Sequence, residues 1–179
     1  LWPVTPMAGT AEAGVEAGQR DLFQGRPWIG TPDAKTDPAA LAVVEALAGR
    51  LGSRWFTAAA DQHDQAVALI SHMPVLVSAA LLRAAGDERD PEIRALAQAL
   101  ASSGFADTSR VGGGNPDLGV AMASRNREAV LKALAAYRWS LEQLEDAVIK
   151  SNWDQLQKEL TRTQALRPGF LDAPADFNL

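Results

Sequence analysis

Residues 104–119 read Gly-Phe-Ala-Asp-Thr-Ser-Arg-Val-Gly-Gly-Gly-Asn-Pro-Asp-Leu-Gly and set one arginine, Arg110, in a glycine-rich stretch. A guanidinium keeps its charge and offers a planar fork of donors that fits a carboxylate. The stretch is expected to be a loop between two helical segments, and a structureless loop of that length inside a helical region has either a function or no fixed conformation. The chemistry it suggests is recognition of a small acidic substrate. The bland alternative is a structural arginine paired with Asp107. Gly112-Gly113-Gly114 follows no expected strand and lacks the G-x-G-x-x-G spacing, so it carries no weight as a nucleotide fingerprint.

Two histidines, His63 and His72, are the other groups able to move or hold a proton. At about 100° per residue, they fall on opposite faces of a straight helix, which speaks against a two-histidine metal site. His63 sits in Asp61-Gln62-His63-Asp64, a polar first turn that suits a surface or capping residue. His72 follows Ser71 in an apolar run and precedes Pro74 by two residues. A histidine there is either a core residue with a satisfied ring or a binding-site group beside a proline kink. Glu142, Glu145 and Asp146 read as a solvated face, and no Ser-His-Asp or paired-carboxylate set follows from spacing.

The elements that must position these groups change character near residue 58. Residues 27–31 read as a short strand. Asp37 caps a helix with Pro38 at its first position, and Leu41, Val44, Leu47, Ala48 and Leu51 repeat at helical spacing up to Gly52. Residues 53–57 form a second strand, giving a βαβ unit of the kind that lives in a larger sheet. From residue 59 onward the pattern is helical. The expected helices are 60–85, kinked at Pro74, then 91–101, then 116–150 with a break near Asn126, then 151–165. The tail after Pro168 is expected to be mobile. Val130, Leu134, Tyr137, Leu141, Leu144 and Val148 follow heptad a/d spacing, which fits either packing within the chain or a subunit interface.

Composition narrows the class. The 179 residues carry 47% hydrophobic and 22% charged residues, as a soluble globular protein does. A net charge of -5 and a pI near 5.0 argue against nucleic acid as a partner. There is no cysteine, hence no disulfide and no thiolate metal site. The run 66–82 is interrupted by Ser71, His72, Pro74 and Ser78 and is expected to be a buried helix rather than a membrane span. No secretory signal is expected in the first residues, and the lack of an initial Met suggests a start inside a longer protein.

Three segments in order resemble the prephenate/arogenate dehydrogenase family of tyrosine biosynthesis. They are Pro6-Met7-Ala8-Gly9-Thr10 with Gly14, Leu22-Phe23 and the strand at 27–31; His63-Asp64-Gln65-Ala66-Val67 with Ser71-His72-Met73-Pro74; and Gly104-Phe105 through Asp107-Thr108-Ser109-Arg110 to Asn115-Pro116. The resemblance runs to about residue 165. It implies a mainly α chain: residues 1–58 as the βαβ end of a Rossmann-type NAD(P) domain, and 59–179 as an all-helical substrate-binding and dimerisation domain. It further implies NADP- or NAD-dependent oxidative decarboxylation of arogenate or prephenate by a cytoplasmic homodimer with no nucleic-acid or membrane partner. Arg110 looks like the arginine that grips a substrate carboxylate, with His72, His63, Ser71 and Gly104 in the same pocket. Pro6, Met7, Gly9 and Thr10 look like cofactor contacts. Two positions depart from the family pattern His-Pro-Met-Ala-Gly-Thr-Glu: Thr5 stands where the catalytic histidine belongs, and Ala11 where many members have Glu. Threonine is no general base near neutral pH. With the dinucleotide fingerprint also missing, the expectation is a chain not competent by itself. The alternative is a helical dimerisation or substrate-binding module.

Overall fold

A computed structural model describes residues 4–9 and 18–171, which fall into two units. The first comprises residues 1–63 and 135–179. Its sheet has three strands in the order β1 (Val4–Pro6), β2 (Pro27–Gly30), β3 (Arg54–Thr57). The two strands expected from sequence pair in parallel, Pro27 opposite Arg54 and Gly30 opposite Thr57, with helix α1 (Pro38–Arg50) as the crossover. β1 was not expected. Three residues ending in proline give no alternation to read, and the strand exists because β2 pairs with it antiparallel, Val4 opposite Gly30.

Helix α1 begins as its sequence requires: the Asp37 carboxylate accepts from the Ala39 N–H at 2.9 Å, and Pro38 occupies a position that needs no N–H. It ends before Gly52, whose φ of +74° is the left-handed conformation that glycine adopts at least cost. There the turn before β2 docks: Gly25 donates to the Gly52 carbonyl at 2.8 Å and the Ser53 hydroxyl to the Phe23 carbonyl at 3.0 Å. Phe23 then stacks on Trp28 with ring centroids 5.5 Å apart.

The second unit, residues 64–134, is helical. Helix α2 (Ala60–Val67) passes into a π turn (Ala68–His72) and then α3 (Met73–Gly86). The break expected at Pro74 is thus a π turn just before it. The Met73 N–H reaches back five residues to Ala68, and Pro74 lies in the first turn of α3, where its missing donor costs little. One extra residue per turn also shifts the helical phase by about 100°, so the straight-helix count applied to the histidines does not hold across it. Helices α4 (Pro91–Leu100) and α5 (Ser103–Ser109) pack on α3, and α6 (Pro116–Arg125) packs on the π turn.

The core of this unit is Ala68, Val130 and Ala133, with Met73, Leu76, Ala129 and Leu134 around it. Ala60–Gly86 is long and apolar enough to cross a membrane by length and composition alone, with a mean hydropathy of 1.8. The expectation of a buried helix holds for one side only. Val67, Ala68 and Ser78 are buried, whereas Leu69 and Ile70 are 51% and 57% exposed.

Helix α7 (Arg127–Ile149) carries the heptad stripe, and α8 (Trp153–Leu171) follows. Val130 is buried at the start of the stripe, while Leu141 and Val148 are about half exposed. Internal packing therefore accounts for only its first part. α8 runs through Pro168 to Leu171, beyond the end expected near residue 165. The rest of the tail expected to be mobile, residues 172–179, lies outside the described residues.

Between α7 and α8 the Asn152 N–H bonds to the Ala147 carbonyl and the Ser151 N–H to the Val148 carbonyl, both closing a Schellman turn. Its left-handed position is held by Ser151, with φ of 50°, where glycine is the usual occupant. Ser151→Gly should raise the unfolding free energy by about 0.5–1 kcal/mol. Chemical denaturation of the full chain reads this; an equal or lower midpoint would show that the serine side chain compensates for the strain.

Candidate functional site

Arg110 does not stand in a long loop. Residues 103–109 form α5, leaving a turn at 110–114 before α6. Gly104, Asp107, Thr108 and Ser109 are weak helix formers, which hid the helix in the sequence. They hold it with their side chains: the Thr108 hydroxyl donates to the Gly104 carbonyl at 2.7 Å, and the Ser109 hydroxyl to the Phe105 carbonyl at 2.6 Å. Asn115 then caps α6, accepting from the Asp117 N–H at 2.9 Å. Arg110 opens the turn with its side chain exposed, and it makes no hydrogen bond or ion pair among the described residues. The alternative pairing with Asp107 is therefore not formed. Gly104, also expected in the pocket, lies exposed in the first turn of α5.

The turn is fixed from below by a residue that no motif singles out. Ser78, on α3 and 3% exposed, accepts from the Gly112 N–H at 2.8 Å and donates to the Thr108 carbonyl at 2.9 Å. A Cβ on Gly112 would collide with the backbone of Ser78 and Ala79. The signal in the sequence was there: a lone serine in an apolar helical run must find a partner.

Ser71 and His72 lie together in the π turn, each half-buried. Asn126, at the break between α6 and α7, donates one amide hydrogen to the Asp64 carbonyl at 2.7 Å and faces His72 Nδ1 at 3.3 Å. The first bond fixes which end of the amide is the NH2 group. Nδ1 must then be the acceptor, which leaves the ring proton on Nε2. His72 is thereby set as a hydrogen-bond donor through Nε2, able to face a hydroxyl or carboxylate oxygen. Asn126 also escaped notice as a partner, because it was read only as a helix break.

The remaining residues singled out from sequence belong to the first unit. His63 is half-buried in α2. Thr5 is half-buried in β1 opposite Ile29, and Pro6 is opposite Trp28. The Met7 N–H extends the pairing to the Pro27 carbonyl at 2.8 Å. Gly9 faces open space, while Thr10, Ala11 and Gly14 lie outside the described residues. A dinucleotide pyrophosphate needs a glycine-rich turn between a strand and a helix N-terminus. Among the described residues the helices that follow strands start at Asp37-Pro38 and Ala60-Asp61, with carboxylates where phosphate would sit. These residues do not form a pyrophosphate cradle. No group of three or more metal-ligating side chains occurs among them.

Comparison with known proteins gives this geometry a family. Residues 2–57 match the nucleotide-binding domain of prephenate dehydrogenase, and residues 59–162 match its dimerisation domain. The chain is 31% identical over 166 residues to a cyclohexadienyl dehydrogenase of Zymomonas mobilis, covering 92% of this chain and 56% of that one. The crystal structure of Synechocystis arogenate dehydrogenase superposes with a TM-score of 0.82 at 46% identity, covering 93% of this chain and 60% of that one. A prephenate dehydrogenase of A. aeolicus in complex with hydroxyphenyl propionate and NAD+ gives 0.85 at 26% identity, over 93% and 58%. The chain thus spans little more than half the length of these relatives. It belongs to the prephenate dehydrogenase family.

The Asn126 contact can be tested directly. In Asn126→Asp a carboxylate oxygen replaces the amide donor, so His72 should take a proton on Nδ1. The nitrogen chemical shifts of the His72 imidazole should move from the Nε2–H pattern to one with Nδ1 protonated. Unfolding should cost about 1–3 kcal/mol less, since a carboxylate then faces the Asp64 carbonyl. Unchanged imidazole shifts would show that Asn126 does not set the ring.

Proposed function

We propose, with this family membership as the premise, that the chain supplies the substrate-binding part of a dehydrogenase of tyrosine biosynthesis. The reaction is oxidative decarboxylation of a 4-hydroxycyclohexadienyl acid with a nicotinamide dinucleotide, NADP or NAD. The ring carboxylate leaves as CO2, its bonding electrons enter the ring, and the hydrogen on the hydroxyl-bearing carbon leaves as hydride. The product is tyrosine from arogenate or 4-hydroxyphenylpyruvate from prephenate. The 46% identity to an arogenate dehydrogenase favours arogenate.

The observation that carries the binding role is Arg110: an exposed guanidinium, unpaired among the described residues, on a turn hydrogen-bonded to α3. It grips a substrate carboxylate. His72, with its proton on Nε2, meets an oxygen of the same ligand, with Ser71 beside it in the π turn, and the resemblance adds Gly104 and His63 as substrate-binding residues. Pro6, Met7, Gly9 and Thr10 contribute to the nicotinamide side. The working form is a homodimer, and the half-exposed Leu141 and Val148 of the heptad stripe supply part of the apolar surface it covers. The site belongs to a cytoplasmic enzyme that uses neither nucleic acid nor membrane.

Thr5 favours a second reading within the same family. By the resemblance, the residue at this position hydrogen-bonds the 4-hydroxyl and acts as the base that accepts its proton. A threonine hydroxyl can hydrogen-bond there but cannot accept a proton near neutral pH. The chain then keeps substrate affinity while turnover is lost, as in a binding or dimerisation module. Incubation of the purified chain with arogenate or prephenate and NAD or NADP tests this second reading. No reduction of the dinucleotide is expected, and rates like those of full-length relatives would exclude the second reading.

The carboxylate assignment has its own measurement. Arg110→Ala should weaken binding of hydroxyphenyl propionate about 10- to 100-fold by calorimetry, the worth of one charge-assisted pair. Its dimer should persist in light scattering. Equal affinity in the variant would remove Arg110 from the site.

A further inference from the structure

We infer that Ser78 is a positioning residue that sets the aim of Arg110. The inference rests on the reading of Arg110 as the carboxylate-binding group and adds a specific cause for its geometry.

Serine in the middle of a helix usually turns its hydroxyl back to a carbonyl of its own preceding turn. Ser78 instead donates across to another element, to the Thr108 carbonyl at 2.9 Å, and accepts from the Gly112 N–H at 2.8 Å. The two groups it ties lie two residues before and two residues after Arg110. Both are groups that their own element leaves short of a partner. Thr108 is in the last turn of α5, where carbonyls have no intrahelical donor, and Gly112 is in a turn. One buried hydroxyl, 3% exposed, thus closes a small ring around the arginine backbone.

The fit is close enough to exclude alternatives. The Gly112 backbone rests on the backbone of Ser78 and Ala79, so residue 112 admits no side chain. A loosened turn has no second seat at the same depth. The arginine side chain has many rotamers, and a fixed backbone removes the largest part of the search before a ligand arrives. Ser78 never touches the ligand in this scheme. It acts through Arg110.

The test is a double-variant cycle on the full chain, with hydroxyphenyl propionate as the probe and calorimetry as the readout. Ser78→Ala should raise the dissociation constant about fivefold to tenfold, with the two backbone groups left unsatisfied. In an Arg110→Ala background the same change should have no further effect, a result that a merely structural role would not give. Ser78→Cys keeps a small side chain with a bulkier and weaker hydrogen-bonding group and should fall between wild type and Ser78→Ala. It also serves if the alanine variant does not fold by circular dichroism. An equal loss with and without Arg110 would overturn the proposal, as would full affinity in both Ser78 variants while Arg110→Ala binds weakly. If Arg110→Ala itself binds normally, the carboxylate reading fails first and the role of Ser78 falls with it.

Discussion

The second unit turns on one contact, the seat of the Gly112 backbone on helix α3. A main chain that approaches a helix this closely brings polar groups to a place where water cannot serve them. A hydrogen bond formed there gains about 1 kcal/mol net, while a buried group left without one costs about 1–3 kcal/mol. The arrangement is therefore specified more by what failure costs than by what success gains. Residue 112 must have no Cβ, residue 78 must be small and must carry both a donor and an acceptor, and α5 must end where its Thr108 carbonyl meets that hydroxyl. Arg110 lies between these fixed points with its charge in solvent.

The same unit is economical in apolar packing. Its core residues are alanine and valine, and among the described residues no large side chain is fully enclosed. Such a core brings helices close but covers little area, at roughly 25 cal/mol per Å² of apolar surface buried. Leu69 and Ile70 on the π turn, and Ile93, Leu96 and Leu100 on α4, are all more than half exposed. Exposed apolar side chains of this kind are what a partner surface can cover. The π turn has two consequences here. It spares the helix the clash that Pro74 would cause in its interior, and within it His72 meets Asn126 while Leu69 and Ile70 face outward.

Much of the fold was legible because its helix starts are marked chemically. Asp37-Pro38, Asp90-Pro91 and Asn115-Pro116 each pair an oxygen-bearing cap with a proline, and each cap accepts from the N–H two residues on. The parallel pairing of β2 and β3, the glycine end of α1 and the break at Asn126 followed from the same local signals. Three elements did not. β1 depends on its partner strand, α5 on side-chain bonds and on its packing against α3, and the end of α8 on a proline tolerated inside a helix. In the first two, tertiary context overrides propensity, whereas the end of α8 is exposed and simply continues past its proline. At the site, charged and titratable residues drew notice by type, whereas Ser78 and Asn126 did not. Their importance lies in which distant backbone groups they meet, 30 and 62 residues away, and no periodicity carries that information.

Thr5 shows why binding and chemistry can part in this family. Carboxylate recognition, the role proposed for Arg110, needs a permanent charge and a held backbone, and its own unit supplies both through the Ser78 bonds. Accepting the proton of a ring hydroxyl as the C–H bond breaks needs a group whose pKa lies near the working pH. A β-strand can carry either residue at that position without change of fold, since Thr5 pairs with Ile29 through its backbone and threonine is well suited to a strand. Loss of the base therefore leaves no trace in the sheet, and no compensating group is needed for the strand to form. In the proposed reading, substrate affinity rests on residues that the fold itself constrains, whereas the proton-accepting side chain is constrained by the reaction alone.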